Sequence, residues 1–199
     1  LSDAGEDTIY YSKEKGVAVN KEVYSPEVLE ELGLSEGGLT EAKSIEVGNI
    51  FKLGTRFSEP LGLLYTDEAG ERFPVVMGSY GIGPGRVMGT IVEALADEKG
   101  IVWPLEVAPF RYHLVALPDA GGLVEREADM LYAHLSAAGI SVLYDDRFEL
   151  SAGERFADAD LIGIPTRLVL SERTLGKGVE RKERASGVQE IVPYAQLES

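Results

Sequence analysis

Apolar and polar positions follow two different periods along this chain, and the change of period divides it. Up to about residue 100 the pattern favours short strands. Residues 45–55, 61–66 and 72–77 are apolar or β-branched runs between turn formers, with Asp67-Glu68-Ala69-Gly70 as the turn joining the last two. One early helix is predicted over 25–33. Ser25 is suited to its N-cap, Pro26 and Glu27 to its first turn, and Leu32-Gly33 to its end. The rest of residues 1–44 reads as an irregular opening. A second helix is predicted over 84–97, with Val87, Met88, Ile91, Val92 and Leu95 as its apolar stripe. Arg86, Thr90, Glu93 and Asp97 fall on another face.

From Tyr112 onward, strand and helix patterns alternate. Strands are expected over 112–117, 140–144 and 167–170. Helices are expected over 123–138, with Val124, Ala128, Leu131 and Leu135 buried, and over 151–162. A hairpin over 179–184 and 188–192 turns at Ser186-Gly187. This alternation implies right-handed crossovers and a largely parallel sheet. Residues 100–109, carrying Pro104 and Pro109, read as a linker in which Trp103 is packed. The expected class is therefore α/β of the α+β kind. An antiparallel sheet closed by the helix over 84–97 fills residues 1–106, and an α/β domain with a mixed, largely parallel sheet fills residues 107–199.

The stretch richest in chemistry is Met77-Gly78-Ser79-Tyr80-Gly81-Ile82-Gly83-Pro84-Gly85-Arg86. A strand ending near Met77 runs into four glycines, and Arg86 sits in the first helical turn, where the helix dipole disfavours a cation. The positions three and four residues on are Gly89 and Thr90, so no acid on the helix pairs with it. This arrangement suits an anionic ligand between Arg86 and a backbone stripped of side chains. A tight turn beside a solvated arginine explains the same residues. The glycine spacing is that of neither a P-loop nor the dinucleotide fingerprint.

The wider text decides between these. Gly78-Ser79-Tyr80-Gly81-Ile82-Gly83 with Arg86 resembles motif 3 of class II aminoacyl-tRNA synthetases, and more narrowly that of bacterial-type prolyl-tRNA synthetases. The flanks agree in order. Residues 45–58 resemble the strand before that motif, and Asp97-Glu98-Lys99-Gly100-Ile101-Val102-Trp103-Pro104 with Ala108-Pro109-Phe110 resemble the passage into the anticodon-binding domain. Asp145-Asp146-Arg147, Gly153-Glu154-Arg155-Phe156-Ala157-Asp158-Ala159-Asp160 and Leu161-Ile162-Gly163-Ile164-Pro165 resemble that domain's central strand and helix. Asp3-Ala4-Gly5-Glu6-Asp7 and Val19-Asn20-Lys21-Glu22 resemble the stretch after motif 2. The family usually has His where this chain has Asn49, and often Cys where it has Ser79. Between Glu22 and Ile45, where bacterial-type enzymes commonly carry an editing domain, only about two dozen residues lie, far below domain size. Motifs 1 and 2 have no counterpart in the 199 residues, so the expectation is the C-terminal portion of a synthetase, inactive alone.

The resemblance implies ATP-dependent activation of L-proline and its transfer to tRNA(Pro) by a cytoplasmic homodimer, with Mg2+ accompanying ATP. It implies that Arg86 binds the terminal phosphate and is the catalytic residue carried by this stretch. Ser79, Tyr80, Gly81 and Gly83 would bind ATP or the adenylate with it, and Glu46, Phe51 and Ser79 would line the proline pocket. Asp146, Arg147 and Glu149 are the positional candidates for anticodon reading. The alternative is a non-enzymatic tRNA-binding or regulatory relative, which would not need Gly81, Gly83 and Arg86 retained.

Composition narrows the classes further. The 199 residues carry 19 Lys and Arg against 34 Asp and Glu, a net charge of −15, which argues against a generic nucleic-acid binder. Near the C-terminus, however, Arg167, Arg173, Lys177, Arg181, Lys182 and Arg184 cluster, either as a tRNA-facing patch or as the solvated face of a hairpin. There is no cysteine, so disulfides and cysteine-bearing zinc sites are excluded. No apolar run approaches a membrane span. His113 and His134 are the only histidines and read as structural, so no metal site of the chain itself is expected.

Overall fold

The computed structural model describes residues 1–197 and divides into two compact units, Leu1–Glu93 and Ala94–Ser199.

In the first unit, β1 (Asp7–Ser12), β2 (Val17–Asn20) and β3 (Thr40–Ser44) form an antiparallel sheet in the order β2-β1-β3. This sheet corrects the expectation of an irregular opening. Its β1–β3 pairing joins Asp7 to Ser44, a long-range partnership that no local pattern announces. The helix α1 (Pro26–Glu31) starts as expected, with the Ser25 hydroxyl accepting from Val28 N at 3.3 Å and Pro26 in the first turn.

The glycine-rich stretch differs from its expected form. The run over 72–77 is split between β6 (Arg72–Pro74), paired with β5 (Leu64–Thr66), and β7 (Met77–Ile82), paired antiparallel with β4 (Gly48–Gly54). Gly78 and Gly81 thus lie inside a strand rather than after one. The strand runs on because its backbone pairs with β4 as far as Ile82, and the two strands come closest at Gly48. A Cβ on Gly48 would stand 2.9 Å from the Gly81 carbonyl oxygen, so these strands lie nearer than side chains would allow. The helix α2 (Pro84–Leu95) follows directly. Its stripe is only half covered: Val87, Ile91 and Val92 are half-buried, while Met88 and Leu95 are exposed.

The second unit holds most of the core. Its five strands run in the order β12-β11-β10-β8-β9, from β8 (Tyr112–Ala116), β9 (Val142–Asp145), β10 (Thr166–Leu170), β11 (Val179–Glu183) and β12 (Gln189–Val192). The first three are mutually parallel, and the terminal hairpin adds antiparallel to β10. Every residue of β8 is buried, as expected of a central strand covered on both faces.

The two helices of this unit meet the sheet by different means. The helix α3 (Leu123–Ala137) buries Val124, Ala128, Leu131 and Leu135 in one apolar cluster with Tyr112, Leu114, Ala116, Leu168 and Leu170. Residues alternate across a strand, so His113 and Arg167 point to the opposite face. There α4 (Ala152–Ile162) packs through charge instead. Arg167 bonds Asp160 at 3.0 Å and lies over the Phe156 ring at 4.4 Å. The start of α4 is a capping box between Ser151 and Glu154. Beyond its end, Gly163 sits at φ +76°, where a Cβ would come within 1.9 Å of the Ile101 carbonyl oxygen. Ile101 N bonds Leu161 O at 3.1 Å and the Trp103 indole donates to Ile162 O at 3.0 Å, so residues 101–103 are laid against that helix end. The unit is closed by its extremes: the Tyr112 hydroxyl donates to Leu197 O at 2.9 Å within the core.

Candidate functional site

In the first unit the β4–β7 ladder sorts the candidate residues by face. Asn49 pairs with Gly81 and Phe51 with Ser79, while Ile50 pairs with Tyr80 and Gly48 with Ile82. Because neighbours along a strand alternate, Asn49, Phe51, Ser79 and Gly81 share one face and Tyr80 lies on the other. A Cβ on Gly81 would meet no atom within 4 Å, so the backbone is open on the shared face. Tyr80 is 85 % exposed and borders, with Gly48, Asn49, Ile50, Gly81 and Ile82, a hollow of about 530 Å³ at this end of the ladder. The structure therefore brings Ser79, Gly81 and Phe51 together and separates Tyr80 from them.

Arg86 stands at the Gly48–Ile82 end of the ladder, where Gly83 N bonds Val47 O at 3.3 Å. As read from the sequence, no acid on its helix reaches it. Two acids from elsewhere do. Its guanidinium donates to Glu46 O at 3.0 Å, lies 4.0 Å from the Glu46 carboxylate and lies 3.5 Å from Glu6. Glu46 in turn accepts from the Asn49 side chain at 3.3 Å. Glu46 thus borders Arg86 directly, and Asn49 reaches it only through Glu46. All of these groups are substantially solvated, so the pairings contribute at most about 1 kcal/mol each and are readily exchanged for a stronger anion.

In the second unit Asp146, Arg147 and Glu149 follow β9, at the C-terminal edge where open parallel sheets bind ligands. Asp146 and Glu149 are exposed. Arg147 is not a free cation. Its guanidinium forks both oxygens of Asp145 at 3.0 and 2.9 Å and donates to Asp158 at 2.8 Å. Asp145 is 5 % exposed. Burial opposes its ionisation, but Arg147 and then Arg155 outweigh that and hold its pKa at about 2. Arg155 is fully buried and lies 3.3 Å from Asp145. Removing one member of such a buried pair costs about 3–5 kcal/mol.

A cavity of about 270 Å³ opens here, bordered by His113, Asp145, Asp146, Arg147 and Asp158. His113 is 2 % exposed and its Nδ1 has no hydrogen-bond partner. Burial pushes its pKa down to about 4, helped by Arg167, Arg147 and Arg155 and opposed by Asp145. The imidazole is neutral at pH 7. Arg155, Asp158 and His113 were not among the site residues expected from the sequence, and Asp145 reads there only as a strand-end acid beside Asp146. One signal was available: Arg155 falls on the same helical stripe as Ala159, so a charge occupies a buried position.

The arginines near the C-terminus are paired within the unit. Arg167 faces Asp160, Arg173 lies 3.9 Å from Glu180, Arg181 bonds Glu190 at 2.5 Å and Arg184 bonds Asp97. Among the described residues no group of acids and histidines has the arrangement of a metal site, and no helix is long and apolar enough to cross a membrane.

Comparison with known proteins places these geometries in a family context. Residues 114–199 match the family model described as an anticodon binding domain. The chain is 46 % identical over 159 residues to the proline–tRNA ligase of Dehalococcoides mccartyi strain CBDB1, covering 79 % of this chain and 28 % of that protein. It is 47 % identical to the Bacillus pumilus proline–tRNA ligase over 81 % of this chain and 28 % of that one. For the Methylobacterium sp. proline–tRNA ligase the figures are 44 % identity, 88 % of this chain and 39 % of the relative. The chain thus spans roughly a third of the length of these relatives, at their C-terminal part. The crystal structure of prolyl-tRNA synthetase from Cryptosporidium parvum complexed with L-proline and AMP shares the fold, with a TM-score of 0.68, 22 % identity and coverage of 81 % of this chain and 36 % of that one.

Proposed function

We propose that this chain, whose sequence corresponds to the C-terminal part of bacterial-type proline–tRNA ligases, supplies the motif 3 wall of a prolyl-adenylate site and the anticodon-binding domain of such an enzyme. The observation that carries this reading is the high identity to proline–tRNA ligases across about four-fifths of the chain, spanning both units. The reaction is attack of the proline carboxylate on the α-phosphate of ATP, release of pyrophosphate, and transfer of the prolyl group to the 3′ end of tRNA(Pro).

In this reading the two units divide the labour. Arg86 receives the terminal phosphate, exchanging its loose contacts with Glu6 and Glu46 for a multiply charged anion. The open backbone at Gly81 leaves room for a flat base to lie close, and Gly83 stands beside Arg86. Phe51 and Ser79, on the same face as Gly81, line the proline or adenylate pocket, with Glu46 and Asn49 at its edge. Tyr80, assigned with Ser79, Gly81 and Gly83 to ATP or the adenylate, lies on the opposite face of the ladder and is 85 % exposed. Charge neutralisation and positioning dominate such phosphoryl chemistry. Mg2+ would arrive with the ATP phosphates, and no residue of this chain is assigned to it. In the second unit Asp146, Arg147 and Glu149 meet the anticodon of tRNA(Pro), using carboxylate acceptors and guanidinium donors for base edges. The catalytic part is assigned to residues 1–106 and the anticodon-binding domain to 107–199, although residues 94–106 fall in the second compact unit; the intact enzyme is assigned to a cytoplasmic homodimer.

The test is proline-dependent pyrophosphate exchange and tRNA charging by an intact ligase carrying this segment. Arg86→Ala should abolish most exchange and Arg147→Ala should impair charging alone. Normal exchange with Arg86→Ala would remove the phosphate role.

A further inference from the structure

We propose that Arg155 is a positioning residue for tRNA recognition: buried beneath the loop after β9, it fixes Asp145 and through it the orientation of Arg147. This rests on the reading of Arg147 as an anticodon contact and adds a residue and a mechanism to it.

The argument starts from cost. Arg155 is the largest fully buried side chain of the described residues, and burying a guanidinium is costly unless its charge and donors are matched. They are largely matched here, and by a particular set of groups. One terminal nitrogen donates to Ala116 O, at the end of β8, and the other to Asp145 O, at the end of β9. Two neighbouring parallel strands are therefore tied together at the edge where the loop begins. The Arg155 Nε lies 3.3 Å from the Asp145 carboxylate, and the guanidinium stands 5.5 Å from the centre of the Phe148 ring, within that loop.

Asp145 hands this constraint to Arg147 by accepting two bonds from its guanidinium. Asp158, one helical turn beyond Arg155 on α4, holds the remaining side of Arg147. The result is an alternating chain of charge, Arg155–Asp145–Arg147–Asp158, that begins in the core and ends at the surface, where Arg147 is 42 % exposed. A planar fork held on two sides is oriented before any base arrives, and preorganisation of this kind lowers the ordering cost of binding. A purely architectural arginine would need the two strand-end carbonyls but not an Nε placed as an ion pair, without a hydrogen bond, 3.3 Å from the carboxylate that aims Arg147.

The experiment uses the intact ligase with Arg155→Lys, which keeps the charge and loses the fork, and Asp158→Asn, which loosens the exposed end of the chain without disturbing the core. Arg147→Ala is the control for the reading itself. Charging is measured with wild-type and anticodon-altered tRNA, alongside pyrophosphate exchange and thermal unfolding. Both variants should raise KM for wild-type tRNA, Arg155→Lys by about tenfold and Asp158→Asn less, with the preference over altered tRNA narrowed and exchange unchanged. Wild-type tRNA kinetics for both variants, beside an impaired Arg147→Ala, would overturn the positioning role whatever happens to the unfolding temperature. Should Arg155→Lys fail to fold, an unaltered tRNA preference in Asp158→Asn would overturn it equally. No defect in Arg147→Ala would overturn the anticodon reading and this inference with it.

Discussion

Arg184 holds both carboxylate oxygens of Asp97, at 2.7 and 2.6 Å, across 87 positions of sequence. Asp97 also accepts from Lys99 N at 2.8 Å and Gly100 N at 3.1 Å, so one side chain fixes both its own turn and the end of β11. The Arg184 bonds, then these backbone donors, hold the Asp97 carboxyl well below the usual carboxylate range. A carboxylate with a depressed folded pKa stabilises the fold above its unfolded pKa, near 3.9, and that contribution is lost as pH falls below it. Thermal unfolding at pH 6 and pH 3 should therefore show a smaller acid-induced fall for Asp97→Asn than for the unaltered chain. Equal falls would mean the pair adds nothing to acid stability.

His113 should dominate a different pH window. Its pKa is lowered by burial to about 4, below the unfolded value of about 6.5. The unfolded chain then takes up the proton first as pH drops, so stability declines between pH 6.5 and pH 4 and levels below that, by on the order of 1–3 kcal/mol. His113→Gln should flatten this part of the profile in denaturant unfolding. A slope that survives the substitution would assign the titration to another group.

Arg86→Ala in an intact ligase should cost roughly 2–4 kcal/mol in the activation step, the worth of one preorganised donor to developing charge. That is about 30- to 1000-fold in pyrophosphate exchange. Folding should change little, because the Arg86 side chain is 49 % exposed. Exchange within about twofold of wild type would return Arg86 to its contacts with Glu6 and Glu46.

The 199-residue chain by itself should show no proline-dependent pyrophosphate exchange. The chain spans only 28 % of the length of the proline–tRNA ligases it matches, so most of such an enzyme lies outside these residues. Robust exchange from the purified chain would contradict the division of labour proposed above.

Gly163→Ala should destabilise the second unit without touching the candidate sites. Its φ of +76° disfavours any side chain, and a Cβ would be driven into the Ile101 carbonyl at 1.9 Å. The loss should exceed the ~1 kcal/mol of a positive-φ glycine alone, read as a fall in unfolding temperature. A change smaller than that would mean residues 101–103 can lift from α4.

The second unit was legible in the sequence because its signals are local. The stripe Val124, Ala128, Leu131 and Leu135, the Ser151 start of α4 and the turn at Ser186-Gly187 each name their element without reference to anything distant. The first unit was less so. β1 and β3 find each other across some thirty positions, and Gly78 and Gly81 resemble turn residues although they lie within β7, paired with β4. Within the sites, residue types were legible and partnerships were not. Asp145 and Arg147 are two letters apart and find each other easily. Asp158 and Arg155 join them only because α4 folds back over the sheet. The arginines near the C-terminus were visible as a basic cluster, while the acids that face them are scattered from Asp97 to Glu190.

The hydroxyl of Tyr112 reaching Leu197 O has a consequence for how this protein is made. A ribosome delivers Tyr112 first and the residue that satisfies it 85 positions later, which at roughly 5–20 residues per second is on the order of 4–17 seconds. Within that interval β8 and α3 are made before β10, β11 and β12, so their apolar seam waits while the strands that complete the sheet are still being added. Translation speed, rather than the intrinsic rate of sheet closure, then sets how long that seam is available to chaperones or to neighbouring nascent chains.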